Sequence, residues 1–177
     1  MKSRKELWLL LASFIVPIVL GSAFFYWNPG YFTQNTVNYG QFVDPIIITQ
    51  EQDIVFSDAT PGTLQGVWTL VYVTNQCDSE CIQVIKDMET TRILMNEDMR
   101  RIQRMLVVKG GTNTQEPGLL IAQSSDLLSQ KLAKFPKNTL FLIDPIGNIM
   151  LYYKAQNLEI KRVIKDLKRL FKYSRIG

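Results

Sequence analysis

Two side chains in this sequence can carry redox or soft-metal chemistry, and they stand four residues apart, in Cys77-Asp78-Ser79-Glu80-Cys81. On a helix, positions i and i+4 share a face with Cα atoms about 6 Å apart, so this pair can close a disulfide or chelate one soft ion. The chain has no histidine. Serine and cysteine triads, imidazole bases and imidazole metal ligands are therefore excluded. Two cysteines are also too few for a four-cysteine zinc or iron-sulfur centre.

A thiol is reactive as its thiolate, which a helix N-terminus stabilises and nearby carboxylates destabilise. Cys77 falls where a strand gives way to a helix, beside Asp78 and Glu80, so the two influences oppose one another there. Asp78 or Ser79 can instead serve as the helix cap. A purely structural disulfide is the plain alternative, but a bridge across so short a loop removes little unfolded-state entropy. Gln76, Asp78, Ser79 and Glu80 are too polar for an inert buried pair. Met88, Met95, Met99, Met105 and Met150 offer thioethers to a soft ion, though Met88 and Met150 sit in apolar patterns typical of core. Arg100, Arg101 and Arg104 can dock an acidic partner, although a short charged helix is more often a solvated face.

The elements that must position the thiols are legible around them. Val67–Val73 (VWTLVYV) is β-branched, aromatic and nearly all apolar, as a strand covered on both faces requires. A polar turn leads through the motif into a helix reaching about Met95, with Ile82, Ile85, Met88 and Ile93 near helical spacing. A polar segment, Asn96–Gln103, precedes a strand at Met105–Val108 and a Gly-containing loop through Gly118. A second helix is expected over Ser124–Ala133. Strands at Thr139–Ile143 and Asn148–Tyr153 follow, joined by the turn Asp144-Pro145-Ile146-Gly147, then an amphipathic helix at Leu158–Lys172. The predicted class is α/β, a βαβ unit followed by ββα, which is the thioredoxin-like arrangement. Short strands at Val43–Thr49 and Asp53–Phe56 precede it as a peripheral strand or hairpin.

With 46% hydrophobic and 20% charged residues in 177, the chain can bury a real core, and disorder and low-complexity classes are excluded. Leu7–Trp27 holds 21 residues without a charge, with Trp8 near one end and Tyr26 and Trp27 at the other. That length suits a transmembrane helix, and the basic residues before it place the N-terminus in the cytoplasm and the rest in the periplasm. A cleaved signal peptide, cut near Gly21-Ser22-Ala23, is the alternative. The expected division is a cytoplasmic N-terminus at 1–6, a membrane helix at 7–27, a tether with peripheral strands at 28–60 and the thioredoxin-like domain at 61–177. Positive charge concentrates at the two ends: residues 157–177 carry seven basic and two acidic side chains, while 28–156 are mildly acidic. No nucleic-acid platform results. The terminal basic helix can touch anionic headgroups or simply face water.

The run Gly66–Val73 leading into Cys77 and Cys81, with Leu142-Ile143-Asp144-Pro145-Ile146-Gly147 downstream, resembles the Sco/SenC proteins of cytochrome c oxidase assembly. The resemblance is nearest to their histidine-free, membrane-anchored relatives found with proteobacterial oxidase genes, through Met95–Val107 and Asp166-Leu167-Lys168-Arg169-Leu170. It implies a periplasmic domain on a bacterial inner membrane, a thiol reductant that recharges the pair, and oxidase subunits, subunit II foremost, as partners. It also implies copper as a candidate metal, with Cys77 and Cys81 as Cu(I) ligands and as the catalytic pair of a thiol-disulfide oxidoreductase. A Cu(I)-carrying chaperone and a non-catalytic assembly factor are the alternatives. In the Sco pattern a proline follows the first cysteine and a distant histidine completes the copper site; here Asp78 stands at the first position and the second falls near Pro136. Pro136 is also the candidate for the cis-proline that faces the motif in thioredoxins.

Overall fold

The computed structural model describes residues 2–28, 38–109, 111–112, 114, 116–174 and 176. Of the tether with peripheral strands expected at 28–60, residues 29–37 lie outside them. The N-terminal unit contains the helix α1 (Lys2–Trp27), with Pro17 inside it. Its segment Arg4–Trp27, 24 residues containing an 18-residue window of mean hydropathy 2.3, is long and apolar enough to cross a membrane. A helix of this kind serves as a membrane anchor or as a signal sequence.

The second unit runs from Asn38. Its strands are β1 (Gln41–Ile48), β2 (Ile54–Phe56), β3 (Trp68–Thr74), β4 (Ile102–Val108), β5 (Leu119–Ser124), β6 (Thr139–Ile143) and β7 (Asn148–Lys154). They form one seven-stranded sheet in the order β1-β7-β6-β3-β4-β5-β2. The three strands β3, β4 and β5 run parallel, and β6 pairs antiparallel with β3, opposing Val71 to Phe141. The helices are α2 (Ser79–Ile93), α3 (Asp126–Leu132) and α4 (Ile160–Tyr173).

Strand alternation divides the core in two. Trp68, Leu70 and Tyr72 of β3 pack with Cys81, Val84, Ile85 and Met88 of α2 and with Val163, Leu167 and Phe171 of α4. Val71 faces the other way, among Phe141, Ile143, Met105, Val107, Leu128 of α3 and Val43 and Ile47 of β1. This two-sided burial is the reason β3 reads as continuous apolar sequence rather than as alternation. The thioredoxin-like arrangement expected from the sequence is thus present, with three differences. Leu119–Ser124, which lies between the expected loop through Gly118 and the helix expected from Ser124, is a strand, and α3 begins two residues later than expected. Only four consecutive apolar residues (Leu119–Ala122) mark β5, too few to distinguish strand from loop by periodicity. The two early strands are not a hairpin either: β1 joins β7 at one sheet edge and β2 joins β5 at the other.

Two side-chain clamps complete the unit. The Asp144 carboxylate accepts the N–H groups of Ile146 and Asn148, at 3.0 and 2.8 Å, and closes the β6–β7 turn. Gly147 there has φ 91°, and a Cβ would meet Thr49 Oγ1 at 2.9 Å. Asp166 of α4, buried, accepts the N–H groups of Tyr39 and Gly40 at 3.1 and 2.8 Å, and so fixes the chain where it enters the sheet.

Candidate functional site

The motif occupies the C-terminal end of β3. Thr74 ends the strand, residues 75–77 turn, and Asp78 caps α2 with its side chain accepting the Cys81 N–H at 3.1 Å. Cys77 therefore lies just ahead of the cap, and Cys81 is the third residue of the helix. The two form a disulfide with Cα atoms 5.0 Å apart. This is shorter than two positions within a helix would give, because Cys77 is outside the helical turn. Cys81 is 0% exposed and belongs to the core, whereas Cys77 is half-buried at its edge. A solute reaching this bridge meets Cys77 first. The hydroxyl of Thr114, on the loop between β4 and β5, donates to Cys77 Sγ at 3.7 Å.

Polar side chains converge under and beside the bridge. Asn138, in the left-handed region with φ 57°, immediately precedes β6 and donates to Glu80 Oε2 at 3.4 Å. Its Oδ1 lies 3.4 Å from the Thr74 hydroxyl, which also donates to the Gln76 carbonyl at 2.9 Å. The other Glu80 oxygen is buried with no hydrogen-bond partner among the described residues. Burial, reinforced by the negative charges of Glu80 and Asp78, pushes the Tyr72 phenol up to about 12. A groove of about 820 Å³ runs alongside, with Gln76, Asp78, Lys109, Lys137 and Asn138 among its lining.

The thioethers and guanidinium groups resolve differently from the thiols. Met88, Met95 and Met105 are core side chains, 0–2% exposed, and Met150 packs against that core. Arg104 does not belong to a docking surface. It is 2% exposed, its Nε lies 2.7 Å from Glu89 Oε2, and its guanidinium donates to the Pro117 carbonyl at 2.7 Å. Burial holds its pKa below the ordinary arginine value. Arg101 binds Asp98 and the Ser174 carbonyl and lies over the Phe171 ring, leaving Arg100 as the exposed member of the three. Pro136 lines the groove, but its peptide bond is trans; the cis bond among the described residues is Asp44–Pro45. Asn138, not Pro136, is the residue that meets the motif. Its turn-prone type just before a strand was the available signal, whereas nothing in the polar run around Thr114 pointed to the sulfur.

Residues 68–174 match the family model described as the transmembrane-like, thioredoxin-like, C-terminal domain. The chain belongs to this family. No curated protein sequence is significantly similar to this member of it. Among solved structures, the fold of this transmembrane-like, thioredoxin-like protein is similar to that of copper-bound ScoI from Arabidopsis thaliana, with a TM-score of 0.55 at 15% identity, over 72% of this chain and 100% of that one. It is also similar to apo Sco1 from Thermus thermophilus, with a TM-score of 0.54 at 15% identity, over 77% and 98% of the two chains. A third is BsSco, described with a disulfide switch and as a member of the Sco family of cytochrome c oxidase assembly proteins. It aligns with a TM-score of 0.52 at 11% identity, over 79% and 98%. At these identities the likeness is one of fold.

Proposed function

We propose that this protein is a membrane-anchored, periplasmic thiol-disulfide protein that assists assembly of the binuclear copper centre of cytochrome c oxidase in a bacterial inner membrane. The observation that carries the reading is the asymmetry of the pair: Cys81 is buried in the core, while Cys77 is half-buried beside a groove. Such a pair suits sequential exchange. The Cys77 thiolate attacks one sulfur of a client disulfide, forming a mixed disulfide and releasing the other client sulfur, which takes a proton from water. Cys81 then gives up its proton and attacks Cys77 Sγ, the mixed disulfide breaks, and the client leaves with two thiols. The client is reduced by two electrons and the pair is oxidised; an external dithiol reductant returns it to the starting state. The oxidase assignment draws support from the fold shared with BsSco, an oxidase assembly protein with a disulfide switch.

Copper, held by the A. thaliana relative, fits this chain poorly. The donors are two thiolates, no histidine exists, and no group of three metal-ligating His, Cys, Asp or Glu side chains occurs among the described residues. Such a pair can hold Cu(I), which accepts low coordination, but gives Cu(II) no imidazole. The test mixes the reduced full-length protein with a peptide carrying the subunit II copper-site cysteines as a disulfide. The expected result is transfer of the disulfide to the protein, with Cys81→Ser trapping a mixed disulfide through Cys77. Absence of exchange together with a tight Cu(II) complex showing a thiolate charge-transfer band overturns the ranking in favour of copper carriage. Absence of both exchange and copper binding leaves a non-catalytic assembly factor.

A further inference from the structure

The Cys77 sulfur receives a hydroxyl that is itself held in place. Thr114 Oγ1 lies 3.7 Å from Cys77 Sγ, across 37 positions of sequence. Thr112 engages Thr114 twice, its hydroxyl accepting the Thr114 N–H at 3.0 Å and donating to Thr114 Oγ1 at 2.9 Å. A hydroxyl has one proton to give. With its oxygen already accepting from Thr112, Thr114 is left to aim its own proton at the sulfur. Chains of this kind polarise each member, so the terminal donor is stronger than a lone threonine. The sulfur has need of one, because Asp78 and Glu80, the acidic neighbours in the motif, both disfavour negative charge there.

We propose that Thr114 is a positioning residue for Cys77, its hydroxyl held by Thr112 as the donor that orients and stabilises the attacking sulfur. This rests on the thiol-disulfide reading above, whose exchange step it serves. When Cys77 attacks, a new sulfur–sulfur bond forms, the bond in the substrate disulfide breaks, and charge passes to the leaving sulfur, which takes a proton from water. The hydrogen bond favours the charged nucleophile before attack. Losing it makes the reactive form rarer while raising the nucleophilicity of what remains, so the net slowing is about threefold.

The experiment measures the rate at which the reduced full-length protein attacks oxidised glutathione, a probe that requires no oxidase client. Thr114→Val should react about threefold more slowly than wild type, and Thr114→Ser, which keeps the hydroxyl, at the wild-type rate. Thr112→Val should fall between, since the donor remains but is no longer held. A Thr114→Val rate equal to wild type overturns the proposal. Equal slowing in the valine and serine variants also overturns it, because retaining the hydroxyl would then confer nothing and the shape of the side chain, not its proton, would be at work. Should Thr114→Val fail to fold, Thr112→Val decides: slowing supports the relay and an unchanged rate removes it. A wild-type protein that exchanges with glutathione but not with the subunit II peptide loses the oxidase assignment and leaves the relay standing.

Discussion

Tyr72 shows how one buried residue ties the site to the stability of the fold. Its ring lies in the core beneath α2, and its phenol is held up at about 12 by burial and by the charges of Glu80 and Asp78. An unfolded tyrosine ionises near 10. Between pH 10 and 12 the unfolded chain has therefore released this proton while the native chain keeps it, and stability falls as pH rises. The slope from this group alone is about 1.4 kcal/mol per pH unit across that window, and its contribution is fully present below pH 10. Removing the phenol in Tyr72→Phe should flatten the decline relative to wild type in denaturation series at pH 9 to 12. Parallel curves would show that the Tyr72 phenol is not held in its neutral form. Tyr72 was legible from sequence only as part of an apolar strand; that its hydroxyl shares an environment with Glu80, eight residues later, depends on how α2 lies over β3.

At the scale of elements, the junction between β3 and α2 was the most legible part of the molecule. A continuous apolar strand, a polar turn and an Asp-Ser-Glu run with a helical pattern behind it leave few other arrangements, because the helix needs an oxygen at its start and Asp78 supplies one. Replacing Asp78 by Ala should cost about 1 kcal/mol of stability by urea denaturation of the oxidised protein, while Asp78→Asn, which keeps an acceptor, should cost a few tenths. Equal losses in both variants would mean that the charge rather than the cap matters. The opposite end of the sheet was less legible. β5 is short, and its pairings, Arg104 opposite Leu119 through Val107 opposite Ala122, are long-range. Arg104 was misread for a related reason. In sequence it is a third arginine beside Arg100 and Arg101, and only the register of β4 turns it inward to Glu89 while Arg101 meets the C-terminal segment.

For the whole molecule, the proposed topology is an N-terminal anchor with the thiol-bearing domain on the periplasmic side, where a disulfide persists. Alkaline phosphatase joined after Gly177 should be active in cells, and the fusion should stay with the membrane after carbonate washing. An active fusion released to the soluble periplasm would make α1 a cleaved signal. An inactive fusion, with a cytoplasmic reporter active at the same place, would reverse the topology.

By itself the sequence determined what depends on local pattern: the long apolar N-terminal helix, the apolar β3, the capped start of α2, the Asp144–Gly147 turn, the amphipathic α4, and hence the thioredoxin-like class. It also determined the chemistry available, two thiols and no imidazole. Tertiary structure alone decided which thiol is buried, that Asn138 rather than Pro136 meets the motif, that Thr114 reaches Cys77 and that β1 and β2 lie on opposite sheet edges. The division has a physical cause. Turns, caps and amphipathic faces are fixed by interactions within a few residues, whereas these contacts join residues lying 37 to 111 positions apart, brought together only by the tertiary fold.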